Sequence, residues 1–280
     1  MDMTIVDRIV ELVRETSSSL PDDVEGALKR ALRREDRGSS AAVVLKTALD
    51  NCALARKQGV PLCQDTGTLA FYVDERLRRK VTPATLKKAV AAATARGLLR
   101  KNCIDSVTGA SYDDNCAEGA PVVHYVSPRS GKPTVTLIMK GGGSENMSRQ
   151  YSLPDSSIGA GRDLEGVRKC LLDAVQKTQG YGCAPGILGV CIGGDRATGY
   201  EVAKEQLLRA LGDNAGDPAL AKLERRVLKE ANSLGIGPMG LGGKTTLLGV
   251  KAASRPRVPA SFFVTVAYMC WAARRRTIEL

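Results

Sequence analysis

Three cysteines stand where a thiolate could do chemistry, and no two of them are close in the chain. Cys63 lies in Pro61-Leu62-Cys63-Gln64-Asp65-Thr66-Gly67-Thr68, between a helix end and an apolar run, so it occupies a loop crowded with polar groups. A thiolate there can ligate a metal, and Asp65 and Thr66 can meet a substrate; a plain turn with an incidental cysteine fits the composition equally well. Cys183 has glycine neighbours in Gln179-Gly180-Tyr181-Gly182-Cys183-Ala184-Pro185-Gly186, and glycine lets backbone N–H groups approach a bulky ligand. Cys270 ends the apolar run Phe262 to Met269, a place where a lone cysteine is usually just buried. Zinc ribbons and ferredoxin-type clusters use close cysteine pairs, which these three lack. Their spacing permits a cluster held from three separate loops with one iron open, which is what Lewis-acid chemistry needs.

Two further motifs are weaker. The single histidine, His124, sits in the short apolar run Pro121-Val122-Val123-His124-Tyr125, where a structural role is the ordinary one, and this disfavours Ser-His-Asp and histidine-metal mechanisms. Gly237-Pro238-Met239-Gly240-Leu241-Gly242-Gly243-Lys244-Thr245-Thr246 resembles a phosphate loop at its GKT end, but Pro238 stands where that pattern needs glycine. ATP binding is rejected on that ground, although the segment offers many backbone N–H groups to an anion.

The elements that must position these residues can be read from periodicity. Ile5, Ile9, Leu12 and Val13 predict a helix over Met3 to Glu15. Leu20-Pro21-Asp22-Asp23 starts a second helix with its acids at the positive end, and a third spans about Ser40 to Lys57. Leu69 to Val73 reads as a strand, and Thr82-Pro83 opens an Ala- and Lys-rich helix. Further strands are expected at Val122 to Val126, Thr134 to Met139, Ile187 to Ile192, Leu247 to Ala252 and Phe262 to Ala267. Helices are expected at Leu164 to Thr178, Thr198 to Leu211 and Pro218 to Ser233, and Gly141-Gly142-Gly143 reads as a turn. Helices come first and a mixture follows, with no repeat and no linker. The expectation is a helix-rich α+β fold with a small mixed sheet, as one domain over 1–280.

Composition narrows the classes. The 280 residues are 43% hydrophobic, 25% charged and only 4% aromatic, so aliphatic side chains must fill the core. The formal charge of +11 admits a nucleic-acid-binding reading, a plain solvated surface, or a field that draws in small dianions. The basic residues are dispersed, the densest run being Arg274-Arg275-Arg276, and no aromatics interleave to stack on bases. The opening residues read as an amphipathic helix and not as a signal peptide, and no apolar run is long enough for a membrane span. A reducing, cytoplasmic setting is expected, where eight cysteines point to metal or catalysis more than to disulfides.

Five ordered segments carry a specific resemblance: PLCQDTGT at Pro61 to Thr68, KGGGSENMS at Lys140 to Ser148, GCAPGILGVCIGGDRATG at Gly182 to Gly199, GIGPMGLGGKTT at Gly235 to Thr246, and PASFFVTVAYMCWA at Pro259 to Ala272. Together, over nearly the whole chain, they resemble the alpha-type region of class I fumarases and L-tartrate dehydratases. The resemblance implies a hydro-lyase acting on a C4 dicarboxylate, with a [4Fe–4S] cluster on Cys63, Cys183 and Cys270. It implies substrate contacts at Gln64, Asp65, Arg100, Gly142 and Gly143, with Asp65 also catalytic. Cys52, Cys103, Cys116, Cys170 and Cys191 fall outside those positions and are read as structural.

Two departures qualify it. Single-chain fumarases of this kind carry a histidine shortly before PAS, where this chain has Arg257 and Val258. They also carry a beta-type domain, and this chain stops about where that domain would begin. The resemblance therefore implies a separate beta-type subunit, a heterotetramer, and a catalytic base outside this chain. Fumarate/malate and tartrate/oxaloacetate both remain open as substrates. The rival readings are a non-enzymatic iron–sulfur regulator and a basic nucleic-acid-binding protein.

Overall fold

The computed structural model describes residues 3–128 and 130–280. In chain order the elements are α1 (Ile5–Ser18), α2 (Asp22–Arg34), α3 (Ser40–Gln58), β1 (Thr68–Asp74), α4 (Pro83–Ala95), β2 (Cys103–Ile104), β3 (Ser111–Tyr112), β4 (Val122–Val126), β5 (Thr134–Lys140), α5 (Gly142–Glu145), β6 (Arg149–Ser152), α6 (Leu164–Thr178), β7 (Gly186–Gly193), α7 (Arg196–Gln206), α8 (Pro218–Ser233), β8 (Leu247–Arg255), β9 (Phe263–Met269) and β10 (Arg274–Glu279). The fold class is the expected α+β. No helix among the described residues is long and apolar enough to cross a membrane.

Boundaries follow local chemistry. α1 starts at a capping box in which Thr4 accepts from the Asp7 N–H. It runs past Glu15 because Thr16 and Ser18 return their hydroxyl protons to carbonyls one turn back, at 2.6 and 2.8 Å. α7 begins earlier than expected because Asp195 caps the N–H groups of Ala197 and Thr198. The unexpected element is β10. Its arginine run reads as solvated charge, yet it pairs antiparallel with β5, Arg274 opposite Met139.

The chain forms two compact units. One comprises the residues through Pro21, Asp50–Gly142 and Ala272–Leu280; the other comprises Asp22–Leu49 and Gly143–Trp271. The first unit is built on a four-stranded sheet of order β10-β5-β1-β4, in which only β1 and β4 are parallel. Leu69, Phe71 and Val73 of β1 alternate onto the same face as Val135, Leu137 and Met139 of β5. There they meet Ile9, Leu12 and Val13 of α1 and Leu86, Ala89 and Val90 of α4. Each fully buried Leu, Val or Phe in this layer contributes roughly 1.5–3 kcal/mol. On the opposite face Tyr72 stacks on His124 with ring centroids 4.7 Å apart, a packing role for the lone histidine.

The second unit has a sheet of order β6-β9-β7-β8, with β7 parallel to β8 and antiparallel to β9. Leu188, Val190 and Ile192 of β7 join a core with Val167, Leu171 and Val175 of α6 and Val227 of α8. The alternate residues of β7 face α7 so closely that a Cβ on Gly189 would lie 2.0 Å from the Ala203 carbonyl oxygen. Every residue of β7 is buried, which is why it reads as a continuous apolar run.

Candidate functional site

The Cys63 loop is fastened by polar contacts on every side. The Leu62 N–H donates to the Ser17 carbonyl at 2.9 Å, and Asn51 Nδ2 donates to the Leu62 carbonyl at 3.0 Å. Thr66 Oγ1 both donates to the Arg100 carbonyl and accepts from the Arg100 N–H, each at 2.9 Å. This double link sets Arg100 beside the loop, with its side chain exposed. The Asp65 carboxylate is held at both oxygens: Gly142 N–H donates to Oδ2 at 2.7 Å, and Asn102 Nδ2 to Oδ1 at 3.0 Å. The Asp65 N–H points at Cys63 Sγ, 3.5 Å away. At Gly67 φ is +74° and a Cβ would stand 2.4 Å from the Lys140 carbonyl oxygen, so glycine alone allows β5 to pass this close.

Three residues that support this loop carry no motif. Asn115, buried and at φ +61°, accepts at Oδ1 from the N–H groups of Asn102 and Cys103, at 2.9 and 3.1 Å. Its Nδ2 donates to the Arg100 carbonyl and to Thr94 Oγ1, at 2.9 and 3.1 Å. Asn102 is the second, through its bond to Asp65. Arg274, 1% exposed, is the third: its Nη2 donates to the Asp65 carbonyl at 2.8 Å and lies 3.4 Å from that of Thr66. Strand alternation in β10 turns Arg274 inward, and that period was the available signal, masked by the charge of its neighbours. Asp65, Asn102, Asn115 and Gly142 line a cavity of about 450 Å³, a size that suits a small organic acid.

In the second unit, the Cys183 segment and the Gly237–Gly243 segment are laced together by backbone. The Met239 N–H donates to the Ala184 carbonyl at 3.0 Å, and a Cβ on Gly180 would meet the Met239 carbonyl oxygen at 2.2 Å. Four non-glycine residues have positive φ among the described residues, and three of them, Gln179, Cys183 and Met239, sit in this lacing. Such strain collects where a site needs a fixed backbone. The Trp271 N–H donates to the Cys183 carbonyl at 3.1 Å, which brings the Cys183 and Cys270 segments together. Both thiols act on the buried Tyr268, whose phenol is pushed far up first by burial, then by Cys270 and Cys183. Its ring fills the space that side chains on Gly182 or Gly186 would need, 2.3 Å away in each case.

The eight cysteines separate by environment. Burial pushes the Cys170 thiol up to about 12 and the Cys191 thiol up to about 11, so both stay protonated near neutrality. Cys103 and Cys116 are raised as well, first by burial and then by Asp114, and Cys52 is buried. Cys183 is exposed, and Cys63 and Cys270 are half-buried. The three motif cysteines thus have access that most of the others lack, and two of them share one neighbourhood. Cys63 belongs to the other unit, and no three His, Cys, Asp or Glu side chains among the described residues are grouped closely enough to hold a metal ion by themselves. The donor chemistry, soft thiolates on glycine-rich and polar loops, suits an iron–sulfur group.

Other expected positions fall as follows. Gln64 is exposed next to Cys63. The Gly142 N–H goes to Asp65 and not outward, so Gly142 acts through that carboxylate. Gly143 is exposed in the first turn of α5, with open space around it. In the GKT segment, the anion met by the backbone is the chain's own: both Glu35 oxygens accept from the Lys244 N–H, at 2.9 and 3.1 Å.

Comparison with known proteins bears on what this arrangement is for. Residues 6–279 match the family model of fumarate hydratase (Fumerase). A protein of Geobacillus stearothermophilus assigned to fumarate hydratase class I is 47% identical over 99% of the chain, which spans about half (55%) of that relative. The L(+)-tartrate dehydratase subunit alpha of Escherichia coli K12 is 31% identical over 98% of the chain, which covers 91% of it. A Methanocaldococcus jannaschii protein assigned as the same subunit is 33% identical, with 98% and 96% covered.

Proposed function

The chain belongs to the fumarate hydratase family, and from that premise we propose that it is the alpha-type part of a hydro-lyase that adds water to, or removes it from, a C4 dicarboxylate. The observation that carries the reading is the Asp65 carboxylate, clamped by Gly142 and Asn102 at the edge of a cavity and two residues from Cys63. In this reading Cys63, Cys183 and Cys270 would hold a [4Fe–4S] cluster, which when bound supplies a Lewis acid for the departing hydroxyl.

The chain's own groups do the rest that it can do. Asp65 has both oxygens tied to donors, so its remaining lone pairs keep a fixed direction and orient the substrate hydroxyl. The exposed Arg100 guanidinium, with its planar fork, suits one carboxylate of the substrate in a bidentate contact. Gln64 and Gly143, both exposed, are the further donors to the substrate in this reading. A beta-type chain supplies the proton-abstracting base and the second carboxylate clamp, in a heterotetramer in the cytoplasm. Support for that partner comes from the alpha-subunit names of the tartrate dehydratase relatives and from Tyr181, Met239 and Leu241, which expose apolar side chains on the laced loops around Cys183.

The test is anaerobic reconstitution with iron and sulfide, with and without a beta-type chain, followed by assay on fumarate and on L-tartrate. The expected result is a brown chain that turns over one of them only with the partner. Misplacing a reacting group costs roughly 100-fold, and Asp65→Asn in the reconstituted pair is expected to lose about that much. Full turnover by the lone chain, or a cluster-loaded pair inert on both acids, overturns the reading.

A further inference from the structure

Arg274 is an odd residue for the interior of a small sheet. It is 1% exposed, and its Nε and Nη1 are buried without a hydrogen bond among the described residues. A buried guanidinium with unspent donors weakens a fold relative to an apolar side chain of the same size. Its neighbours in the same run take ordinary roles: Arg276 pairs with Glu15 at 3.1 Å, and both Arg275 and Arg276 are only half-buried. What Arg274 achieves lies at Nη2, which bridges toward two consecutive carbonyls, those of Asp65 and Thr66.

Those carbonyls belong to the loop whose side chains matter most. Thr66 is locked by its hydroxyl to Arg100, and Asp65 by its carboxylate to Gly142 and Asn102. Side-chain bonds alone leave the peptide planes between Asp65 and Gly67 able to rotate. A donor reaching both carbonyls from the sheet removes that freedom, and with it the freedom of the Asp65 side chain to leave Gly142. Lys can reach one carbonyl as a point charge, but it lacks the rigid fork.

We propose that Arg274 is a positioning residue: from β10 it fixes the backbone of the Asp65–Thr66 segment, and thereby the direction of the Asp65 carboxylate at the edge of the cavity. The consequence for turnover rests on the reading of Asp65 as a substrate-facing group; the consequence for the loop does not.

The test uses the full chain carrying Arg274→Lys and Arg274→Gln. Amide hydrogen exchange followed by NMR reads the Gly142 N–H, with Leu137 and Val190 as core references. Exchange at Gly142 is expected to accelerate about tenfold or more in the Gln variant and less in the Lys variant, with the references unchanged. In the reconstituted pair, kcat is expected to fall roughly 10-fold to 100-fold, with KM changed little and Lys rescuing part of the loss. Unchanged exchange at Gly142, acceleration of all amides together, or failure of both variants to fold would each overturn the proposal. If Gly142 responds as expected while the wild-type pair is inert on dicarboxylates, the positioning role stands and the hydro-lyase reading fails.

Discussion

The Cys63 loop and the Cys183 segment are held by opposite means. The first is pinned by side chains: Asn102 and Arg274 bond to Asp65, the loop's own Thr66 bonds to the Arg100 backbone, and Asn115 holds that Arg100 segment in turn. The second is pinned by the absence of side chains. Gly180 presses on the Met239 carbonyl, Gly182 and Gly186 press on the Tyr268 ring, and three non-glycine residues accept left-handed backbone to keep the lacing closed. A polar clamp can be loosened one bond at a time, each worth about 0.5–1.5 kcal/mol. A steric clamp is all-or-none, because protein interiors yield little to an added methyl group.

Three substitutions probe that difference, in descending order of expected effect. Gly182→Ala places a methyl 2.3 Å from the buried Tyr268 ring, so the ring or the backbone must move. A loss on the order of 2–4 kcal/mol in denaturant unfolding is expected, together with altered reactivity of the Cys183 thiol. A stable, unchanged variant would show the segment to be far softer than its geometry indicates. Asn115→Ala removes four hydrogen bonds at once and leaves alanine at φ +61°. About 2–3 kcal/mol is expected, since the partners Asn102, Cys103 and Arg100 can recruit water in part. Asn115→Gly should restore the backbone share of that loss and none of the side-chain share. A full rescue by glycine would make the polar clamp a conformational one instead.

The smallest effect concerns the buried thiols that serve neither clamp. Cys170 is raised from 9.0 to about 12 by burial, so an unfolded chain ionises this thiol first as pH climbs. Stability from the neutral buried thiol is complete below pH 9 and is lost progressively between pH 9 and about 12. Cys170→Ala is expected to flatten that part of the alkaline unfolding profile, after allowance for the cavity it creates. Burial holds the Cys170 thiol neutral at pH 8, so alkylation there should lag far behind that of exposed Cys183. Equal labelling rates would contradict the separation of the cysteines drawn above.

Much of this molecule was legible in the sequence. Eight of the helices and strands lie within about two residues of their expected ends, because amphipathic spacing and capping residues act locally. Cys63, Asp65 and Cys183 stood out as candidates because glycine and polar neighbours mark their segments as loops. Arg274 was not, although its position was in view: three arginines in a row look like solvated charge until a strand partner is known, and β5 lies more than 130 residues earlier in the chain. Asn115 was silent for a similar reason. Its left-handed φ is common for asparagine, but its four partners are gathered from α4 and from the segment around Arg100.

The sequence by itself determined the local periods, the caps, the glycines and the set of thiols, since each of these is a property of a few adjacent residues. It determined the family as well, through five ordered segments. The tertiary structure decided the division into two units that interleave along the chain, because a unit assembled from separate segments leaves no linker to read. It also decided which thiols stay neutral, because that depends on burial by distant elements. And it decided what holds Asp65, because a carboxylate's direction is set by whichever donors the fold brings to it and to its backbone: here the two carboxylate donors come from residues 37 and 77 positions further along the chain, and the donor to its backbone carbonyl from 209 positions further.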